Sequence, residues 1–206
     1  MLFSFHIKPL FISLNRNLNQ KTKSSMKKII TLTLVTSAIV LSAFTLAALW
    51  KVDEKASTVA WKLPKGNKAG TFSGLTSTIN FDKANLADSK IVASIDVKTI
   101  KAGNEKLETH LLTADFFDAE KFPKITFTST SIAAKDAGFI AKGTLHMKDS
   151  TKMIELPFTF TEKDKTNAVF SGTMTIDSSD YGVTKKKPDG KGGDEVVIEL
   201  TVPVTK

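Results

Sequence analysis

Few residues in this 206-residue sequence have the chemistry of a catalyst, and none falls into a spacing that concentrates it. Beyond residue 50 there are two histidines, His110 and His146, on what read as different elements. No His-Glu-x-x-His pair, Cys/His cluster or acidic calcium loop accompanies them, so no metal is expected. Cysteine is absent, which removes thiol chemistry and disulfides together. Ser73 sits in Gly70-Thr71-Phe72-Ser73-Gly74, which lacks the Gly-x-Ser-x-Gly spacing of a nucleophile elbow and reads as a strand or bulge residue. Asp177 and Asp180 could pair for acid–base work, although a solvated strand end and turn explain them more simply. The glycine-rich stretch Asp189 to Asp194 opens onto a strand, so no helix N-terminus is available to hold a phosphate. Lys185 to Lys187 form a cationic run: a solvated loop in the plain reading, or a patch for transient contact with anionic headgroups at a membrane surface. No catalytic residue and no cofactor are assigned.

The elements that carry these residues are mostly strands. Alternation of period two recurs from residue 57 to the end and places side chains on opposite faces. Val59, Trp61 and Leu63 share a face, as do Ile91, Ala93 and Ile95. The same holds for Ile154, Leu156, Phe158 and Phe160, then Ala168, Phe170, Gly172, Met174 and Ile176, and finally Val196 through Val204. Seven to nine strands are expected. Turn signals at Lys135-Asp136-Ala137-Gly138, Lys148-Asp149-Ser150, Glu162 to Lys165 and Pro188-Asp189-Gly190 separate them at short spacing, which favours antiparallel meanders. Such a sheet splits into a sandwich or closes into a barrel, and closure removes its edges. Alternation alone leans only weakly to a barrel. One segment breaks the pattern: Asn104 is a good N-cap, and Leu107, His110, Leu111 and Ala114 recur at helical spacing, predicting a short helix near 105–113 with that stripe inward. Phe116 and Phe117 come after it in a connecting segment and need somewhere to be buried.

Charge supplies a boundary. The whole chain carries a formal +8, but six basic residues and no acidic one precede residue 48, leaving 23 basic residues against 21 acidic ones. A nucleic-acid binder concentrates its basic residues on a face of the folded domain, so no nucleic-acid partner is expected. Met26-Lys27-Lys28, the uncharged run from Ile29 to Leu49 and the small residues Ala43, Ala47 and Ala48 have the order of a secretory signal. Residues 1–47 are therefore read as a leader, with cleavage near Ala47 and translation starting at Met26; an uncleaved anchor is the alternative, since about 20 apolar residues span a bilayer. Residues 48–206 form one domain, expected in the periplasm or secreted.

With these residues in view, the domain resembles the YceI-like family of polyisoprenoid-binding, lipocalin-like exported proteins. The stretch from Gly103 to Ser129 carries the likeness most strongly, through Asn104, His110-Leu111, Asp115-Phe116-Phe117-Asp118, Pro123 and Ile125-Thr126-Phe127. Trp50 to Asp53 with Ser57, Gly143 to Lys148 with Thr151-Lys152, and Ile176 to Val183 extend it over about residues 50 to 204. Leu107 and Ser178 stand where the family often has arginine, Glu108 replaces an aspartate, and no arginine occurs after Arg16. A bidentate arginine contact to an anionic headgroup is thus not available.

The resemblance implies an antiparallel lipocalin-like β-barrel of about eight strands, with the short helix and Phe116-Phe117 beside or across one opening. It implies binding of a long-chain lipid, isoprenoid or quinone-like amphiphile without covalent chemistry. The expected wall is Trp61, Phe72, Ile95, Phe127, Leu145, Phe158 and Phe170, with His110, Phe116 and Phe117 near an opening. His110 would be a polar contact at the cavity mouth; a satisfied core histidine is the plainer reading. Two other readings stay open: a structural or stress-related module with a solid core, and a hydrolase or isomerase acting on a lipid through Asp177, Asp180 or His110. The oligomeric state is not legible in the sequence.

Overall fold

The structure is a computed structural model, and it describes residues 49–185 and 193–206. The predicted leader, its cleavage point, Lys186, Lys187 and the Pro188-Asp189-Gly190 turn lie outside the described residues.

Among the described residues ten strands form one antiparallel sheet: β1 (Leu49–Val52), β2 (Thr58–Leu63), β3 (Lys68–Phe72), β4 (Leu75–Asn80), β5 (Lys90–Asp96), β6 (Lys124–Lys135), β7 (Gly138–Met147), β8 (Ser150–Glu162), β9 (Asn167–Asp177) and β10 (Glu195–Thr205). Their order is β1-β4-β5-β6-β7-β8-β9-β10, and β1 pairs back onto β10, which closes the ring at eight positions. The expected barrel is the observed one. The count exceeds the seven to nine strands expected because two positions are shared. β1 and β2 lie along successive parts of β10, with Lys51 opposite Thr205 and Val59 opposite Leu200. β3 pairs with β2 and β4 with β1, so Ser73-Gly74 marks a break in one course of chain.

Alternation places every second residue inside. Val59, Trp61, Leu75, Ile79, Ile125, Phe127, Phe158, Phe170 and Val202 are buried, while their sequence neighbours on the strands are more exposed. A register shift between Ser129 and Ser131 interrupts β6 and turns Ile132 inward in place of an odd-numbered residue. Such a bulge bends the strand and raises its twist, as closure requires. There Ser129 Oγ accepts a hydrogen bond from the Ile91 N–H at 2.8 Å, just beyond the last β5–β6 pair. The β6–β7, β7–β8 and β8–β9 hairpin turns fall at the expected sites. Asp136 and Lys148 take left-handed backbone (φ 50° and 52°), and Asp164 accepts from the N–H groups of Thr166 and Asn167, both at 2.8 Å.

The helix α1 spans Glu105–Leu111, two residues shorter than expected. Asn104 caps it, its Oδ1 accepting from the Lys106 and Leu107 N–H groups. The expected inward stripe is half right. Leu107 and Leu111 are half-buried, whereas His110 and Ala114 are exposed. The helix has ended by Ala114: Thr113 and Leu111 carbonyls accept instead from Phe116 and Phe117 in a turn, and the 3.6-residue period no longer applies there.

Candidate binding cavity

The two ends of the barrel differ in what fills them. At the end where β4 leads into Phe81, aromatic rings pack into a solid plug. Phe81 is 1% exposed, and its ring lies 5.0 Å from Phe139, 5.7 Å from Phe158, 5.1 Å from Phe160 and 5.3 Å from Phe170, centre to centre. Trp50 adds an edge contact to Phe160 at 5.2 Å, and its Nε1 donates to the Phe81 carbonyl at 2.9 Å. Edge-to-face pairs of this kind add about 0.5–1.5 kcal/mol each beyond area burial.

Above the plug the barrel is hollow, with a cavity of about 360 Å³. Its edge can be traced strand by strand. On β4, Leu75, Ser77 and Ile79 line it, and the next inward residue, Phe81, does not. Phe158 lines it on β8 and Phe160 does not; Phe170 on β9 and Ala168 does not; Val202 on β10 and Val204 does not. Ala168, Phe81 and Val204 are buried in the solid half. The walls are almost wholly aliphatic and aromatic, with Ile91, Ala93 and Ile95 on β5, Leu145 and Met147 on β7, and Met174, Ile176, Ile198 and Leu200 on β9 and β10.

The mouth lies at the opposite end, where three connections converge. The first is the segment from Val97 to Pro123 that holds α1; it contributes Ile100, Leu107, His110, Leu111, Phe116 and Phe117 to the lining. The second is the 3₁₀ turn Ser178–Tyr181 together with the chain leading from it towards β10, contributing Ser178, Val183, Thr184 and Asp194. The third is the β7–β8 hairpin, whose Lys148 Nζ donates to the carbonyls of both Phe116 and Gly182, the latter at 2.9 Å. One ammonium thus ties the other two connections together.

The helix is anchored to the barrel at one seam. Lys101 and Thr71 exchange backbone hydrogen bonds of 2.7 and 2.9 Å, and Glu108 accepts from the Ala102 N–H at 2.9 Å and from Lys101 Nζ at 3.1 Å. The Ala102 N–H, then Lys101, hold the Glu108 carboxyl below its usual range. Gly70 permits this closeness: a Cβ there would sit 1.9 Å from the Lys101 carbonyl and 2.6 Å from the Trp61 ring.

All ten residues expected at the wall or opening line this one cavity: Trp61, Phe72, Ile95, Phe127, Leu145, Phe158 and Phe170 on the strands, His110, Phe116 and Phe117 at the mouth. The His110 ring packs on Phe116 at 4.6 Å, and Phe117 meets Phe72 edge-on at 6.1 Å. His110 is exposed, so the core-histidine reading does not hold. Missed in the sequence were Ser77, Lys68, Leu107, Thr184 and Asp194, the inner face of β9 beyond Phe170, and the inner face of β10. The last two strands had the alternation to be found, but alternation does not separate a hollow wall from a packed core.

Polar groups are sparse. Trp61 Nε1 and Ser77 Oγ are closed to solvent and have no hydrogen-bond partner. Ser178 Oγ contacts Thr184 Oγ1 at 2.6 Å and donates to the Asp194 carbonyl at 2.9 Å. Asp177 is not among the lining residues; it accepts from the Ser179 N–H and Oγ and from the Gly193 N–H, shaping the rim. Asp180 likewise lies off the lining and sits 3.9 Å from Lys152. Beside it, burial and then the Asp180 charge push the Tyr181 phenol up to about 12. Among the described residues no group of three or more metal-ligating side chains gathers. An apolar chamber with a few polar groups at its rim suits an apolar chain with a polar end.

Fold and cavity together define a closed eight-position antiparallel barrel with one blind apolar chamber. The YceI-like domain profile matches residues 50–204, and the chain belongs to that family. Relatives include a UPF0312 protein of Pseudomonas putida, 26% identical over 179 residues, covering 82% of this chain and 91% of the relative. A UPF0312 protein of Vibrio cholerae is 29% identical over 120 residues, and the match spans 55% of this chain and 64% of that protein. Among solved structures, Burkholderia cenocepacia BcnA superposes with a TM-score of 0.69 at 26% identity, over 75% of this chain and all of that one. A polyisoprenoid binding domain from Saccharophagus degradans shares the fold, with a TM-score of 0.54 at 14% identity, over 78% of this chain and 98% of that one.

Proposed function

We propose that this protein is a non-enzymatic carrier or sequestering protein for a single-chain amphiphile, lipid or isoprenoid in kind, and that it works outside the cytoplasm after removal of its leader. The observation that carries the binding reading is the blind chamber: an apolar wall drawn from β2 to β10, a floor of packed rings and a rimmed mouth. Each methylene moved from water into such a wall is worth about 0.8 kcal/mol, so a chain is held by aliphatic and aromatic contact alone. The rim groups Lys68, His110, Ser178, Thr184 and Asp194 meet the polar end and set its orientation. The description of the S. degradans domain as polyisoprenoid-binding agrees with this chemistry. The export reading rests on the order of charge, apolar run and small residues before residue 48.

The test is direct. Protein purified from its expressing cells is extracted with organic solvent, and the extract is analysed by mass spectrometry. One stoichiometric amphiphile is expected, as is saturable binding of a fluorescent fatty acid to the stripped protein. No bound amphiphile and no uptake of added ones would overturn the reading. N-terminal sequencing of the exported protein tests the leader, with a start at or next to Ala48 expected.

A further inference from the structure

We propose that the aromatic plug is a length stop, limiting the cargo to a chain of about 12 to 16 atoms between floor and mouth, or about three to four isoprene units. This rests on the carrier reading and adds the class of tail that the carrier accepts.

The floor is set by two residues. Phe158 and Phe170 are the deepest aromatic rings of the lining, and both rest on Phe81, at 5.7 and 5.3 Å, with 5.8 Å between their own centres. Below them the inward residues of the neighbouring strands, Ala168 and Val204, are 2% and 1% exposed. No lining residue lies beyond this layer on β4, β8, β9 or β10. A tail that reaches the layer meets packed rings, and protein interiors are too dense to admit it without repacking.

The depth comes from the strands. On β10 the lining runs from Val196 to Val202, and on β9 from Phe170 up to Ser178 at the rim. At about 3.3 Å per residue these are about 20 and 27 Å along the strand. Strands in such a barrel tilt by about 40°, which makes the chamber about 15–20 Å deep. An extended chain advances about 1.25 Å per bond, since three backbone bonds separate Cα atoms 3.8 Å apart. The depth therefore takes up about 12 to 16 bonds.

The experiment titrates the stripped protein with saturated fatty acids from about 8 to about 24 carbons, by displacement of a bound fluorescent fatty acid, with affinity expected to rise about fourfold per methylene up to the limit and then level off. Two substitutions move the stop in opposite directions. Phe170→Ala opens the floor and raises the limit by about three carbons; Phe170→Leu is the milder form if the first does not fold. Ala93→Leu, on the wall above the floor, fills part of the chamber and lowers the limit by about two or three carbons. Affinity that keeps climbing past about 20 carbons, or a limit unmoved in folded Phe170→Leu and Ala93→Leu, overturns the stop while leaving the carrier reading intact. No binding at any length overturns the carrier reading and the stop with it.

Discussion

Replacing Lys148 by methionine should loosen the mouth without disturbing the barrel. Its ammonium donates to the carbonyls of Phe116 and Gly182, on the two connections that rim the chamber. Methionine keeps an unbranched apolar stem and removes only the donor, so packing along the side chain is largely retained. Hydrogen bonds from a charged donor contribute about 1.5–3 kcal/mol each when buried. Lys148 is half-buried and its bond to Gly182 is exposed, so solvent competes and about 1–2 kcal/mol for the pair is the reasonable figure. That energy restrains the turn from Thr113 to Ala119, whose own hydrogen bonds run from the Phe117 and Ala119 N–H groups to the carbonyls of Leu111 and Leu112. Amide exchange at Phe117 and Ala119 should accelerate about 5- to 30-fold, the Boltzmann factor of that loss. Amides of the β9–β10 ladder should be unchanged. Hydrogen exchange tracked by mass spectrometry or NMR measures both. Acceleration below about twofold at Phe117, or equal acceleration in β9 and β10, would refute the latch, the second because it signals global destabilisation instead.

Gly70→Ala should destabilise the fold by about 2–3 kcal/mol in urea unfolding, because its Cβ meets a backbone carbonyl that cannot move without breaking the Thr71–Lys101 pair. Ser77→Ala should leave the empty protein equally stable or up to about 1 kcal/mol more stable, since the hydroxyl it removes is enclosed and unpartnered; a clear loss of stability would mean that the hydroxyl is satisfied. Asp164 is held at about 2, below its ordinary 3.8, first by the Asn167 side-chain amide and then by the Thr166 and Asn167 N–H groups. A depressed carboxylate stabilises above its unfolded value and loses that contribution as pH falls through its folded one. Asp164→Asn should therefore flatten the stability profile between pH 3.8 and about 2, read from thermal unfolding at stepped pH, and an unchanged profile there would count against the turn's role.

The strands, the hairpin turns and the Asn104 cap were legible because each is a local decision: alternation, a turn residue, a side-chain oxygen three residues before a run. What stayed hidden was set by tertiary contact. The bulge at Ser129 and Ser131 changes which residues of β6 face inward, and no local signal in Ser129-Thr130-Ser131 announces it. The sharing of barrel positions by β1 with β2, and by β3 with β4, depends on which part of β10 each reaches. Helical spacing placed His110 and Ala114 on the inward stripe, and the chain turned before Ala114 could join it. The ten wall and mouth residues were readable as inward or rim positions. Their division into chamber and plug was not, since Phe158 and Phe160 have the same pattern and lie one step apart, on opposite sides of the floor.

That division bears on whether the barrel could be a purely structural module. In a solid core, inward positions at every level are filled to crystal-like density, and voids cost stability in proportion to their volume. Here five phenylalanine rings gather at one end, where Phe81, Phe139, Phe158, Phe160 and Phe170 close on one another. At the middle level, Ser77 and Ala93 face each other across β4 and β5, two small side chains at a paired position. A leucine or phenylalanine at either would fill space that stays open. A chain without a disulfide-forming residue depends on packing for its stability, so leaving half of its barrel hollow lowers the stability of the empty state. The plug offsets this by concentrating aromatic burial where no cargo goes, and a tail in the upper half supplies the contacts that the walls lack. A floor dense enough to stabilise the empty barrel is by the same packing dense enough to stop the tail.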